Sequence, residues 1–177
     1  MGLLIFLGLF LLLAILLLFI IASAFLGFVI TRVPFVPTPS RHIRLVAGHL
    51  NLSKRDTILE LGSGNGRVAF LLEQLSGGRV IGYEAALWTH WWAQLEKKIR
   101  RSRVKFIRGN FFKHDWDRAT VIYCYLYPPL MARVGEKALA DCRPGTRVIS
   151  HDFSIPNLRQ VAIVETRPGH CFYIYQV

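Results

Sequence analysis

The sequence predicts an α/β fold: a mostly parallel sheet with covered faces, a closing C-terminal antiparallel hairpin, and one transmembrane helix ahead of it. Three observations predict this. Short apolar runs alternate with stretches whose apolar residues recur at helical spacing, the pattern of a parallel sheet covered by helices. The run Thr57-Ile58-Leu59-Glu60-Leu61 passes through Gly62, Gly64 and Gly66 directly into Val68-Ala69-Phe70-Leu71-Leu72, a strand turning tightly into a helix. Leu3 to Ile30 is 28 residues without a charge, more than the ~20 apolar residues that cross a bilayer as a helix.

The N-terminal run has a competing reading. Ala22-Ser23-Ala24 resembles a signal-peptide cleavage site. Against cleavage, no Lys or Arg precedes the run, and the run exceeds a usual signal core. A transmembrane anchor over residues 1–31 is therefore expected. A proline-rich linker and an amphipathic helix follow over 32–56, and the main domain occupies 57–177. All 22 Lys and Arg and all 11 Asp and Glu lie beyond the apolar run, so the rest of the chain carries the whole net charge of +11. Arg32, Arg41, Arg44, Lys54 and Arg55 follow the run closely. The positive-inside rule then predicts a single-pass protein with its C-terminal domain on the cytoplasmic face, or on the matrix side of the mitochondrial inner membrane in a eukaryote. Such charge suits anionic lipid or nucleic acid. Tethering favours the bilayer as partner, and no nucleic acid is expected. Cys124, Cys142 and Cys171 are odd in number and show no metal spacing, so neither a disulfide framework nor a metal site is predicted.

Beyond the run, Val33-Pro34-Phe35-Val36-Pro37-Thr38-Pro39-Ser40 reads as an extended exit. Thr38 is placed to cap a helix with Pro39 at its first position. Ile43, Val46, Ala47 and Leu50 then define one face, and Arg41, His42, Arg44 and His49 the other. Gly77 and Gly78 stop the helix that begins at Arg67. Val80 to Tyr83 is the second strand. Trp88, Trp91, Trp92, Leu95 and Ile99 recur at helical spacing, and core packing is the favoured reading of the tryptophans. Val104 to Ile107 and Ala119 to Tyr125 are the third and fourth strands. Leu130 to Asp141 is a helix, and Thr146 to Ser150 the fifth strand. Gln160 to Glu165 and Cys171 to Val177 form a hairpin through Arg167-Pro168-Gly169.

The chemistry is expected at the glycine turn. Glycine permits positive φ and lets a ligand approach the backbone closely. Glu84 ends the second strand, where a carboxylate can accept hydrogen bonds from both hydroxyls of a ribose. A dinucleotide fingerprint would want glycine where Arg67 stands. Glu60, leading the turn, would repel a pyrophosphate but suits an ammonium group. A ligand with an amino-acid end and a ribose end is S-adenosyl-L-methionine.

At these residues the chain resembles the class I methyltransferases, which implies a Rossmann-like seven-strand sheet. The resemblance assigns cofactor binding to Glu60, Gly62, Ser63, Gly64, Asn65, Gly66, Glu84 and Asn110. Glu60 would meet the methionine amino group, and Asn65 the carboxylate through its backbone. Asn110 stands where the class usually has an acidic acceptor for the adenine amine. It reads equally as a turn residue after Gly109. Together with the anchor and Phe35 to Ser40, the motif resembles the membrane-anchored protein lysine methyltransferases related to those that modify mitochondrial ATP synthase subunit c and the adenine nucleotide translocase. That resemblance implies lysine methylation of a protein substrate, itself a membrane protein or associated with one. A lipid or hydrophobic small-molecule acceptor, and a non-catalytic membrane module, are the alternatives. Tyr127 precedes Pro128-Pro129 where nucleobase amino-methyltransferases carry Asp or Asn, which argues against a base as acceptor. Tyr127, Thr38 and Ser40 are the catalytic-side candidates at the substrate mouth, with His42, Tyr125 and His151 beside them.

Overall fold

Seven strands form one sheet in the order β3-β2-β1-β4-β5-β7-β6. The computed structural model describes residues 1–31 and 38–177, with side chains described except at 23–24 and 26–31. The expected exit segment from Arg32 to Pro37 lies outside the described residues. Strands β1 (Thr57–Leu61), β2 (Arg79–Glu84), β3 (Lys105–Arg108), β4 (Val121–Cys124) and β5 (Arg147–His151) run parallel. The closing hairpin, β6 (Arg159–Arg167) and β7 (His170–Gln176), inserts β7 antiparallel beside β5. The expected seven-strand sheet with its C-terminal hairpin is thus present. The order reverses at β1, where β2 and β4 flank it, and crevices for ligands open at the carboxyl ends of strands at such a switch point.

The central strands are buried on both faces because helices cover both. On one face α2 (Ser40–Leu50) and α3 (Arg67–Ser76) pack on Ile58, Val80, Tyr123 and Ile149 through Ile43, Val46, Leu50 and Phe70. On the other, α5 (Met131–Asp141) joins Met131, Val134 and Ala138 to Leu59, Ile122, Val148 and the fully buried Trp116. Helix α2 therefore belongs to the main core. At the opposite edge from the glycine turn, Arg147 donates to Asp56 Oδ1 at 2.7 Å and to the carbonyl of Leu50, pinning the end of α2 to β5.

Two local expectations change. Helix α2 starts at Ser40 with Pro39 at the cap position and no side-chain capping bond. Thr38 instead sends its hydroxyl inward, to Tyr123. His42, assigned to the solvent face, is buried. Its i+4 spacing to Val46 places it on the apolar face.

Helix α4 (Leu87–Arg100) brings the larger correction. Ala93 is its one buried residue. The aromatic stripe expected in the core faces outward, with Trp91 56% and Ile99 72% exposed. Periodicity located a stripe but could not say which way it points.

Helix α1 (Gly2–Thr31) is apolar all round. Its segment Gly2–Ala22 is long and apolar enough to cross a membrane, and no part of it is buried among the described residues.

Candidate cofactor and acceptor site

The turn between β1 and α3 is shaped by backbone that only glycine adopts cheaply. Gly62, Gly64 and Gly66 have φ of 77°, 54° and 82°, all in the left-handed region. Three bonds tie this turn to β2. The N–H groups of Gly62 and Ser63 both donate to the Tyr83 carbonyl, at 2.9 and 2.8 Å. The Gly64 N–H donates to Glu84 Oε2 at 2.7 Å. Glu84 Oε1 accepts from the Ala86 N–H, also at 2.7 Å. One carboxylate thus fixes the turn and the start of α4, with lone pairs left for a ribose. Burial raises the Glu84 pKa, and the bonds from Ala86 and Gly64 pull it back.

Gly66 has a second constraint. A Cβ there would lie 2.5 Å from Cζ of Phe106. Gly66→Ala should cost about 2 to 4 kcal/mol, combining left-handed strain with overpacking. Urea unfolding measures it, and an unchanged midpoint would contradict the geometry.

Glu60 lies deeper. It is 3% exposed, and its Oε2 is buried without a hydrogen-bond partner among the described residues. Burial first, and the charge of Glu84 second, push its carboxyl well above the usual carboxylate range. A buried acceptor with no donor is costly unless a ligand completes it. An ammonium group would do so. This orphaned oxygen, with side-chain-free backbone beside it and Glu84 across it, fits the amino-acid and ribose ends of S-adenosylmethionine. When bound, that cofactor supplies an electrophilic methyl group on a sulfonium.

The remaining cofactor-side residues are less decisive. Ser63 is buried with an unpartnered hydroxyl. Asn65 Oδ1 accepts weakly from the Arg67 N–H at 3.4 Å. Asn110 Oδ1 accepts from the Phe112 N–H at 2.9 Å and caps a short 3-10 turn, Phe111–Lys113. The turn reading of Asn110 is therefore realised, and an adenine amine would have to share that oxygen.

Past the ends of β4 and β5, a second cluster assembles from distant segments. Glu60 and Tyr123 are register partners on neighbouring strands, so both side chains point to the α2 face. Thr38 Oγ1 sits 3.3 Å from Tyr123 Oη and 3.4 Å from His151 Nδ1. His151 stacks 4.3 Å from Phe172 and lies 4.2 Å from the Tyr125 ring. Tyr125 donates to Asp152 Oδ2 at 3.2 Å, and His170 Nδ1 shares that oxygen at 2.8 Å. The Cys171 N–H holds the other oxygen at 3.1 Å. Asp152 takes a φ of 61°, a strained conformation that this network holds in place. Desolvation lowers the His151 pKa against the pull of Asp152, so the ring is neutral at physiological pH.

Of the acceptor-side candidates, Thr38, His42, Tyr125 and His151 come together here. Ser40 points elsewhere, receiving the Arg67 Nε at 3.4 Å. Tyr127 is 46% exposed at the head of the short turn Pro128–Leu130. Sequence reasoning missed Asp152 and His170. Neither carries a local motif, and only the hairpin's return beside β5 joins them. Their ligating atoms and His151's lie within 4.8 Å of one another. However, Tyr125, His170 and Cys171 already occupy the carboxylate, and Arg167 sits 2.9 Å from His170 Nε2. Hydrogen bonds thus occupy both Asp152 oxygens and His170, while the buried His151 Nε2, 3.5 Å from Asp152 Oδ1, has no hydrogen-bond partner among the described residues.

Comparison with known proteins agrees with this geometry. The family profile described as the ANTKMT methyltransferase domain matches residues 60–162, more than half of the chain. A protein-lysine N-methyltransferase of Saccharolobus islandicus is 28% identical over 84% of this chain and 96% of its own. The mouse adenine nucleotide translocase lysine N-methyltransferase is 26% identical, over 75% of this chain and 58% of its own. Among solved structures, an RNA methyltransferase from Salinibacter ruber in complex with S-adenosyl-L-homocysteine superposes with a TM-score of 0.75. It is 27% identical, over 80% of this chain and 94% of that one. With its reversal at β1, its glycine turn and its paired carboxylates, the chain belongs to the ANTKMT methyltransferase-domain family, and it is a class I S-adenosylmethionine-dependent methyltransferase.

Proposed function

We propose that the chain is a membrane-attached methyltransferase whose acceptor is a lysine side chain of a protein at the membrane surface. The observation that carries the acceptor is the aromatic and hydroxyl cluster of Thr38, Tyr123, Tyr125 and His151, adjoining the Glu60 pocket on one face of the sheet. A lysine must reach the methyl carbon as a neutral amine. A dry mouth disfavours the ammonium form, and neutral His151 and the tyrosine rings supply such a wall. The amine lone pair then forms the N–C bond as the C–S bond breaks, and its extra proton leaves to solvent. Holding donor and acceptor in line provides much of the rate. Glu60 and Glu84 fix the donor, and Asp152 positions Tyr125 through its hydroxyl.

Two relatives named as lysine methyltransferases support this acceptor. The apolar helix Gly2–Ala22 supports attachment to a bilayer. The Salinibacter neighbour, an RNA methyltransferase, points instead to RNA, as does the positive charge. Tyr127 stands where an amide or carboxylate would grip a nucleobase amine, and favours protein.

Radiolabelled S-adenosylmethionine and membranes from cells lacking the chain decide between them. Label should enter protein, at a lysine located by mass spectrometry, and Glu84→Gln should cut it by roughly a hundredfold at subsaturating cofactor. Label confined to lipid or to RNA would overturn the lysine reading.

A further inference from the structure

Helix α4 presents to solvent what a helix normally hides. Leu87, Trp91, Leu95 and Ile99 are exposed at four-residue steps, and the exposed Trp92 stands three residues before Leu95, so together they form one continuous stripe. Trp88 stacks beneath, its ring 5.8 Å from Trp91 and 6.1 Å from Trp92. The flank of the stripe is cationic: Lys97, Lys98 and Arg100 fill the last turn, and Arg101 follows. Beside it a groove of about 460 Å³ brings Arg44 and Arg67 to Arg100. Indole belts with neighbouring basic residues are the signature of a membrane–water interface. Helix α1 touches α4, so a bilayer that holds α1 comes close to α4.

We propose that the outward stripe of α4 lies in the headgroup region of an anionic lipid bilayer, making a second membrane contact that lays the domain on the surface. The apolar side chains enter the acyl boundary, and Lys98 and Arg101 meet the lipid phosphates, while Arg100 is held by Glu96 at 2.6 Å. This inference rests on the membrane attachment proposed above, because α1 supplies the proximity.

Tryptophan fluorescence separates the two contacts, since α1 contains no tryptophan. The full chain is placed in nanodiscs of phosphatidylcholine and phosphatidylglycerol, with or without bromine on the acyl chains. Three of the four tryptophans sit on α4, and the fourth, Trp116, is fully buried. Brominated lipid should therefore remove about half of the emission or more, as expected for interfacial indoles. The double variant Trp91→Gln, Ile99→Gln should remain with the discs, keep cofactor binding, and lose most quenching of the remaining indoles. A chain that elutes with the discs unquenched overturns the proposal and leaves the anchor standing. Discs carrying paired copies with unquenched tryptophans would assign the stripe to self-association and overturn it too. A chain that does not elute with the discs overturns both contacts.

Discussion

Replacing Glu84 with glutamine should weaken S-adenosylmethionine binding by roughly a hundredfold, about 3 kcal/mol. The carboxylate now accepts from two backbone N–H groups, those of Gly64 and Ala86. A glutamine has one acceptor oxygen, so its NH₂ would face one of these donors. The ribose also loses an ionised acceptor, and charge-assisted bonds are the strong ones. The effect therefore has two parts: a displaced glycine turn and a poorer ribose contact. Titration calorimetry with S-adenosylhomocysteine reads the sum. Affinity within threefold of the parent would remove Glu84 from the site.

Glu60→Gln should act in opposite directions on stability and binding. In the free protein the Glu60 carboxyl is buried with one oxygen unpaired. Its folded pKa stands above the unfolded one, so between these values the folded state holds more protons. Stability then falls as pH rises from the ordinary glutamate range and levels off above the raised pKa. Glutamine removes that penalty. The variant should unfold about 1 to 2 kcal/mol later at neutral pH, with a flatter dependence on pH. Cofactor affinity should drop by about 2 kcal/mol, roughly thirtyfold, through loss of the ammonium contact. In the parent, an ammonium ligand requires the ionised carboxylate. Affinity should therefore increase with pH until the raised pKa is passed, and binding below it should release a proton. Calorimetry in buffers of different ionisation enthalpy detects that proton. A variant with reduced stability and parental affinity would contradict this role.

Much of this was legible because the signals are local. The glycine turn, its leading glutamate and the second-strand carboxylate fall within 25 residues, and each is bound to its position by backbone geometry. A parallel sheet with a closing antiparallel hairpin followed from alternation, but the strand order did not. The unreadable parts depend on distant partners. Thr38 meets Tyr123 and His151 across 85 and 113 residues, so nothing beside it in the chain distinguishes an inward hydroxyl from a helix cap. Asp152 and His170 become neighbours only when β7 inserts beside β5. The α4 stripe shows a different limit. Helical spacing tells that side chains share a face, but a protein core and a lipid surface select the same residues for it.

The placement of Thr38 has a spatial consequence. It is a wall residue of the proposed acceptor cluster, yet only seven peptide units separate it from Thr31, the last residue of α1. A fully stretched leash of that length reaches about 25 Å. Were α1 fixed in a bilayer as proposed, a methylating centre built around Thr38 would be confined to a shallow zone just above the lipid, and side chains held farther out in the aqueous phase would fall beyond its radius.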